Sequence, residues 1–360
     1  MELDKNQEKN NIKSLILNTK PIDNALHVIA VVSNPCNYKI RYKLMDEFID
    51  RMQKEQHVIL YIVELVYGDQ EFEITSSTNK HHLQLRGEIP LWHKENMINL
   101  GIKKLLPSDW KAVAWIDADI EFENPYWAFN ALQILNGGKD IVQLFVNVFD
   151  MDFNEETLHI YTGFGYQYCK GLVKGMGINY WHPGYAWACN RTAYDQMGLI
   201  YQSGILGAGD NIFSHGFSEH ETNSLKPGMT QMYLDDVKQF QDKMKGLKLG
   251  YVPGSIRHFF HGIKENRNYW GREDILIKYE YDPNTFIEIN SDGLIIPSEI
   301  VSRNFIIDIF NYFKDRNEDE MLLEALEKNK NSIHVLKYKL KFILREFEKM
   351  KQKDDNDKLA

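Results

Sequence analysis

The first run in the chain with a clear period is Ala25-Leu26-His27-Val28-Ile29-Ala30-Val31-Val32, and together with the segments after it this run restricts the available folds. Its length and β-branched content predict a buried strand. It stops at Ser33-Asn34-Pro35, a turn signal, and an amphipathic helical pattern comes next, from about Ile40 to Met52. A second apolar run, Val58 to Val66, completes a strand, helix, strand order. Such a unit joins parallel strands by a crossover, and parallel sheets open their ligand crevice beyond the carboxyl ends of the strands.

The alternation continues with a helix from about Leu91 to Leu105, a strand at Ala112 to Ile116, a helix after Pro125 and a strand near Ile141 to Val146. This predicts an α/β fold with helices on both faces of a mostly parallel sheet. From about Met151 to Gly184 the sequence is rich in Gly and aromatics, which suits ordered cleft-lining loops better than sheet. A helix is expected near Met229 to Lys245 and a short strand around Leu249 to Pro253. Beyond about Pro297 the pattern is helical, with no further strand. The resulting expectation is a polar leader over 1–25, a catalytic domain over 26–285, and a helical extension over 286–360 with a disordered tail. In that extension Ile333, Leu336, Leu340, Ile343, Leu344 and Phe347 form a stripe that either packs on the main domain or pairs two chains as a homodimer.

Charge and cysteine content exclude several classes. With 51 acidic and 42 basic side chains the net charge is -9, so the whole molecule offers no field to gather nucleic acid or anionic lipid. The three cysteines, Cys36, Cys169 and Cys189, are far apart and lack the spacing of a zinc site or a disulfide framework. No apolar run approaches the roughly 18 residues of a membrane span, and the opening segment is too polar for a signal peptide. A cytoplasmic protein is expected.

The sharpest chemical feature is Trp115-Ile116-Asp117-Ala118-Asp119-Ile120, where an apolar strand delivers two carboxylates two residues apart. In continuing strand geometry both would share a face. A divalent cation between them would relieve their repulsion through hard oxygen ligands. Three further segments come in order: His182-Pro183-Gly184-Tyr185-Ala186-Trp187-Ala188, then Ile205-Leu206-Gly207-Ala208-Gly209-Asp210-Asn211, then Ile256-Arg257-His258-Phe259-Phe260-His261-Gly262.

As an ordered set, over roughly residues 26–285, these resemble the DxD-containing GT-A glycosyltransferases of the soluble, cytosolic kind. That resemblance implies a GT-A fold with a Rossmann-like nucleotide half and an acceptor half. It implies a metal-dependent transfer, with Mn²⁺ or Mg²⁺, of a hexosyl or N-acetylhexosaminyl group from a nucleotide-diphosphate sugar, expected to be a UDP-sugar, to a hydroxyl of a glycan or other acceptor. Asp119 would ligate the metal directly, Asp117 would contact the ribose or the metal through water, and His258 or His261 would complete the shell. Asp210 matches the acid of a loop that in the family usually carries Glu-Asp, but Gly209 stands before it here. It is either the catalytic base or acceptor contact, approached through Gly209, or a cap on a helix beginning near Asn211. Ser33, Asn34 and Pro35 would face base and ribose, Glu64 would touch the base, and Arg86, Lys94 and Asn96 have the chemistry for diphosphate and ribose. Trp181, His182, Tyr185 and Trp187 would line the acceptor, although core aromatics look the same in sequence.

Two alternatives share these features. A sugar nucleotidyltransferase would carry a Gly-rich basic phosphate loop after the first strand, and Ser33-Asn34-Pro35-Cys36-Asn37 is not one. A non-catalytic nucleotide- or sugar-binding protein would have no need of Asp210 together with both aspartates and the late histidines.

Overall fold

The computed structural model describes residues 5–172, 181–218, 225–269 and 271–322. In chain order the elements are α1 (Lys5–Asn18), β1 (Leu26–Ser33), α2 (Lys39–Met52), β2 (Val58–Tyr67), β3 (His82–Gly87), α3 (Lys94–Leu105), β4 (Ala112–Ile116), β5 (Ile120–Phe122), α4 (Trp127–Asn136), β6 (Ile141–Gln143), β7 (Asn147–Met151) and β8 (Thr157–Gly163). Next come α5 (Phe164–Cys169), β9 (Trp181–His182), β10 (Ala186–Asn190), α6 (Arg191–Met197), α7 (Gly209–His215), α8 (Gln231–Lys243), β11 (Leu249–Tyr251), β12 (Ser255–His258), α9 (Glu273–Lys278), α10 (Pro283–Phe286), β13 (Ile287–Ile289), β14 (Ile295–Pro297) and α11 (Arg303–Asp315). Met1–Asn317 forms one compact unit and Glu318–Ala360 another. The apolar stripe from Ile333 to Phe347 and the tail lie outside the described residues.

The main sheet has the order β11-β6-β10-β4-β1-β2-β3, and every neighbouring pair is parallel except those made by β10. This is the expected α/β architecture, a Rossmann-like mostly parallel sheet flanked by helices. The strand periodicity divides the core in two. Val28 and Ala30 of β1, with Ala112, Ala114 and Ile116 of β4, enter one apolar cluster, which α4 closes with Trp127, Ala128, Ala131 and Leu132. Ile29, Val113 and Trp115 enter the other, with Met97, Ile98 and Leu100 of α3. Burial on both faces is why these strands read as unbroken apolar runs.

A second sheet has the order β5-β12-β7-β8-β9, and its strands β8 and β9 stand where the sequence suggested loops. Residues Thr157 to Ile160 of β8 are exposed, so the segment lacks a buried run, and its strands find partners only through long-range pairing. The strand β3 also gives no clear signal in the sequence, because an edge strand with half-exposed residues alternates weakly. The short hairpin β13–β14 closes near Pro297, just where only helix was expected. The polar opening folds as α1, seated by the buried Ile12 and by Gln133 Nε2, which donates to Ile16 O at 2.7 Å and Thr19 O at 3.0 Å. Among the described residues no helix is long and apolar enough to cross a membrane.

The fold serves the site through β4. Its last residue in the main sheet is Ile116, and after Asp117-Ala118-Asp119 the chain enters the second sheet as β5. The DxD segment is therefore the crossing between the two sheets.

Besides its buried Met97, Ile98 and Leu100, α3 approaches the sheet closely at Gly101. A Cβ at Gly101 would lie 2.9 Å from Val63 Cγ2 and 3.0 Å from Ile29 Cγ2, so helix and sheet meet backbone to side chain. Gly101→Ala should therefore lower the urea midpoint, because overpacking against stiff β-branched residues costs about 1–3 kcal/mol and outweighs the roughly 1 kcal/mol that Ala normally gains inside a helix. A raised midpoint would show that the approach is looser than this.

Candidate active site

The two aspartates part company at the sheet crossing. Asp117 N–H donates to Tyr185 O at 2.8 Å, extending the antiparallel bonding of β10, while Asp119 O accepts from Phe259 N–H at 2.8 Å, just past β12. Because β4 ends at Ile116, the two-residue strand period does not carry through the turn, and the carboxylates do not share a partner. This corrects the shared-face expectation.

Asp119 faces the two late histidines. His261 Nδ1 lies 3.2 Å from Asp119 Oδ2 and His258 Nε2 lies 3.7 Å from the same oxygen. One ligand atom from each of the three residues falls within 4.8 Å of the others, and the structure brings both histidines to the aspartate rather than one. Asp119 Oδ1 is buried and has no hydrogen-bond partner. An unpaired buried carboxylate oxygen is costly unless something charged completes it. One hard oxygen with two imidazoles suits a divalent transition ion and, of the two metals the resemblance implies, fits Mn²⁺ better than Mg²⁺. Burial pushes the Asp119 carboxyl up, but His261, His258 and Arg267 outweigh that and hold it well below the usual range. Burial likewise pushes His258 down, and Asp119 and Asp150 on its two nitrogens reverse the sign, so its pKa is raised.

Asp117 stands outside this group. Its Oδ1 is 2.6 Å from Lys94 Nζ, which also lies 3.3 Å from Asp210 Oδ2. Lys94, the first residue of α3, thus links the turn after β4 to the first turn of α7. Burial lowers its pKa, but Asp117, Asp210 and Glu95 more than compensate and keep it well above normal. Asp210 lies inside α7, whose N-cap is Ala208, with φ of 68° in the left-handed region, so Asp210 cannot be that helix's N-cap. Its side chain remains about a third exposed, at 30%.

Glu95 is a site residue that the sequence pattern does not disclose. It is buried, and a Cβ added at Gly209 would fall 2.2 Å from its Oε1, so Gly209 is required by the Glu95 carboxyl packed on it. Burial pushes this carboxyl up to about 8; Lys94 opposes the shift, and Asp210 and Asp117 add to it. The carboxyl packed on Gly209 thus comes from α3. The neighbouring Lys94 was visible in sequence; the meeting of Glu95 with Gly209 was not.

The remaining wall is aromatic. His182 and Tyr185 stack at 4.0 Å with 15° between their planes, and Tyr185 lies 4.7 Å from His258. Tyr185 has φ of 78°, a strained value for a bulky residue and one that tends to occur at functional sites. Burial and the nearby His258 push the His182 imidazole down to about 3. Asp210 and His182 meet across Gly184, where a Cβ would lie 3.1 Å from Asp210 Oδ2 and 3.2 Å from His182 Cε1.

Several expected site residues have other work. Trp187 is fully buried, edge-on to Phe213, with Nε1–H donating to Pro183 O at 2.8 Å, so it is a core residue and cannot stack on a sugar. Trp181 is also buried, edge-on to Phe164. Glu64 accepts from the backbone N–H groups of Glu73, Ile74 and Thr75 and from the Thr75 hydroxyl, which leaves little of it for a base. Arg86 donates to Gly68 O and Gln70 O. Asn96 is buried and ties Gln202, Gly293 and Ile295 together. After β1, the Asn34 side chain closes its own turn on the Tyr38 backbone, and Ser33 O accepts from Arg41, with Pro35 next in the same turn.

No model of a known protein family matches the chain, and no curated protein matches its sequence. Among solved structures, a mutant of Drosophila β1,4-galactosyltransferase 7 in complex with manganese, UDP-Gal and xylobiose is 11% identical, with a TM-score of 0.38 over 79% of this chain and 98% of that one. A putative nucleotide-diphospho-sugar transferase from Desulfovibrio desulfuricans is 10% identical, with a TM-score of 0.27 over 71% and 97%. A 4-diphosphocytidyl-2C-methyl-D-erythritol synthase from Anaerococcus prevotii is 10% identical, with a TM-score of 0.29 over 81% and 98%. Likeness this distant says nothing about activity, and function is read from the side chains.

The Glu95 carboxyl yields a pH prediction. Its folded pKa of about 8 lies above that of a free glutamate, so its contribution to stability is complete in acid and is lost as pH rises toward 8. Glu95→Gln lacks this titration. Melting temperatures at several pH values should show the variant gaining on the wild type between about pH 5 and about pH 8; a constant difference would mean that Glu95 is ionised in the fold throughout.

Proposed function

We propose that the chain is a metal-dependent glycosyltransferase that moves a hexosyl or N-acetylhexosaminyl group from a nucleoside-diphosphate sugar, a UDP-sugar in the first instance, to a hydroxyl of a glycan or other acceptor. The observation that carries this reading is Asp119, just past the carboxyl end of the central strand, whose Oδ2 faces two imidazoles while its buried Oδ1 has no hydrogen-bond partner, with the partly exposed Asp210 carboxylate in the same site. Asp119, His258 and His261 would hold Mn²⁺ or Mg²⁺, which when bound supplies Lewis-acid stabilisation to a departing diphosphate.

The other residues divide the remaining tasks. Asp117, just past the end of β4 and paired with Lys94, would meet the ribose on the donor side. The same ammonium fixes the Asp210 carboxylate on the acceptor side. As general base, Asp210 takes the proton of the attacking hydroxyl, and displacement from the opposite side inverts the anomeric carbon. His182 and the stacked Tyr185 form the wall between Asp210 and His258, against which an acceptor ring would rest. Gly184 puts no side chain between Asp210 and His182, which a Cβ there would crowd.

Binding is the first test. UDP should raise the melting temperature in Mn²⁺ and not in excess chelator, since a ligand stabilises only the state it binds, and Asp119→Ala should abolish the metal-dependent part. Equal stabilisation with and without metal would remove the metal-bridged diphosphate from the account. For chemistry, Asp210→Asn should bind UDP and Mn²⁺ normally yet transfer sugar about 10²- to 10⁴-fold more slowly in single turnover. Near-normal transfer would exclude Asp210 as the base.

A further inference from the structure

The metal-facing imidazole of His258 has a partner on its other nitrogen that the sequence did not reveal. The strands β12 and β7 run parallel in a register that sets His258 against Asp150. His258 Nδ1 and Asp150 Oδ1 are 2.7 Å apart, and Asp150 is 2% exposed. The second oxygen of Asp150 is paired with Lys264, whose ammonium also donates to the Tyr161 hydroxyl on β8 at 3.0 Å. A polar row therefore runs from Asp119 through His258, Asp150 and Lys264 to Tyr161. Burying the Asp150 carboxylate and the His258 imidazole, with only the part-exposed Lys264 ammonium beside them, is costly relative to apolar packing. Neighbouring Val148 and Ile256 already bury apolar side chains between the same strands, so pairing β7 to β12 has no need of this row.

The two histidines also differ in the nitrogen they offer. His261 approaches Asp119 through Nδ1, whereas His258 approaches through Nε2 and leaves Nδ1 to Asp150. An imidazole can ligate through Nε2 only when its remaining proton sits on Nδ1, and a carboxylate there fixes both tautomer and ring orientation.

We propose that Asp150 is a positioning residue of the metal site, accepting the Nδ1–H of His258 so that Nε2 is held as a ligand atom beside Asp119, with Lys264 balancing its charge. The inference rests on the reading of Asp119, His258 and His261 as ligands and goes beyond it by assigning the support that makes His258 one. Both oxygens of Asp150 are engaged, one by His258 and one by Lys264. Its effect reaches the reaction through the affinity for the metal, and it reaches that affinity through one imidazole.

Calorimetric titration of Mn²⁺ alone into the full-length wild type, Asp119→Ala and Asp150→Asn tests it. Removal of such an outer carboxylate typically weakens metal binding about 10- to 100-fold, so Asp150→Asn should bind in that range while Asp119→Ala shows no binding at this site. Turnover by Asp150→Asn should recover toward wild type at saturating Mn²⁺, which a merely structural lesion would not allow. Wild-type affinity in Asp150→Asn overturns the inference and leaves the metal reading intact. Absence of Mn²⁺ binding by the wild type overturns both. Should Asp150→Asn fail to fold, long-range proton–nitrogen NMR of the wild type loaded with Mg²⁺ decides: a proton on His258 Nδ1 supports the proposal, and a proton on Nε2 overturns it.

Discussion

Everything at the site depends on where β4 stops. The strand is held in parallel by β1 and antiparallel by β10, and the Asp117 N–H bond to Tyr185 O is the last that the main sheet makes. Two residues later the backbone is bonded to Phe259 and belongs to the second sheet. A chain crossing between two rigid sheets has little freedom, so the carboxylates on either side of the crossing are placed by backbone pairing and not by loop chemistry. This kind of preorganisation lets charged groups act without reorganising.

The crossing also separates two electrostatic environments. On the Asp119 side one carboxylate is surrounded by His258, His261 and Arg267 and is held ionised with one oxygen unsatisfied. On the Asp117 side the ratio is reversed, with Asp117, Asp210 and Glu95 gathered about a single ammonium. Burial beside like charges raises Asp117 to about 7 and the more deeply buried Glu95 to about 8, with Lys94 opposing both shifts. A group that could hold a cation therefore lies on one side of the turn and a cluster of carboxyls about one ammonium on the other, and the proposed transfer would use that division.

How much of the structure the sequence discloses depends on which faces are buried. The strands β1, β2 and β4 are covered on both sides and announced themselves as apolar runs, and Asp117 and Asp119 were found because they end such a run. The edge strand β3 and the exposed half of β8 carry no such signal, and β10 is five residues of mixed character that looked like an acceptor loop. Trp187 illustrates the cost of that ambiguity, since an aromatic in a short strand at the sheet centre is indistinguishable in sequence from one in a cleft. Glu95 and Asp150 could not be found at all, because one is selected by the missing Cβ of Gly209 and the other by the register of β7 against β12. Glu64, Arg86 and Asn96 have suitable side chains for a nucleotide, but backbone groups nearer to hand already use them.

The central claim is that Asp119 Oδ1 is unpaired because a divalent cation belongs there. Anomalous diffraction from crystals grown with Mn²⁺ and UDP measures this directly. The predicted result is an anomalous peak about 2.0–2.3 Å from an Asp119 oxygen and from His258 Nε2, with diphosphate oxygens completing the shell. A peak located elsewhere, or UDP bound with no metal at Asp119, would contradict it.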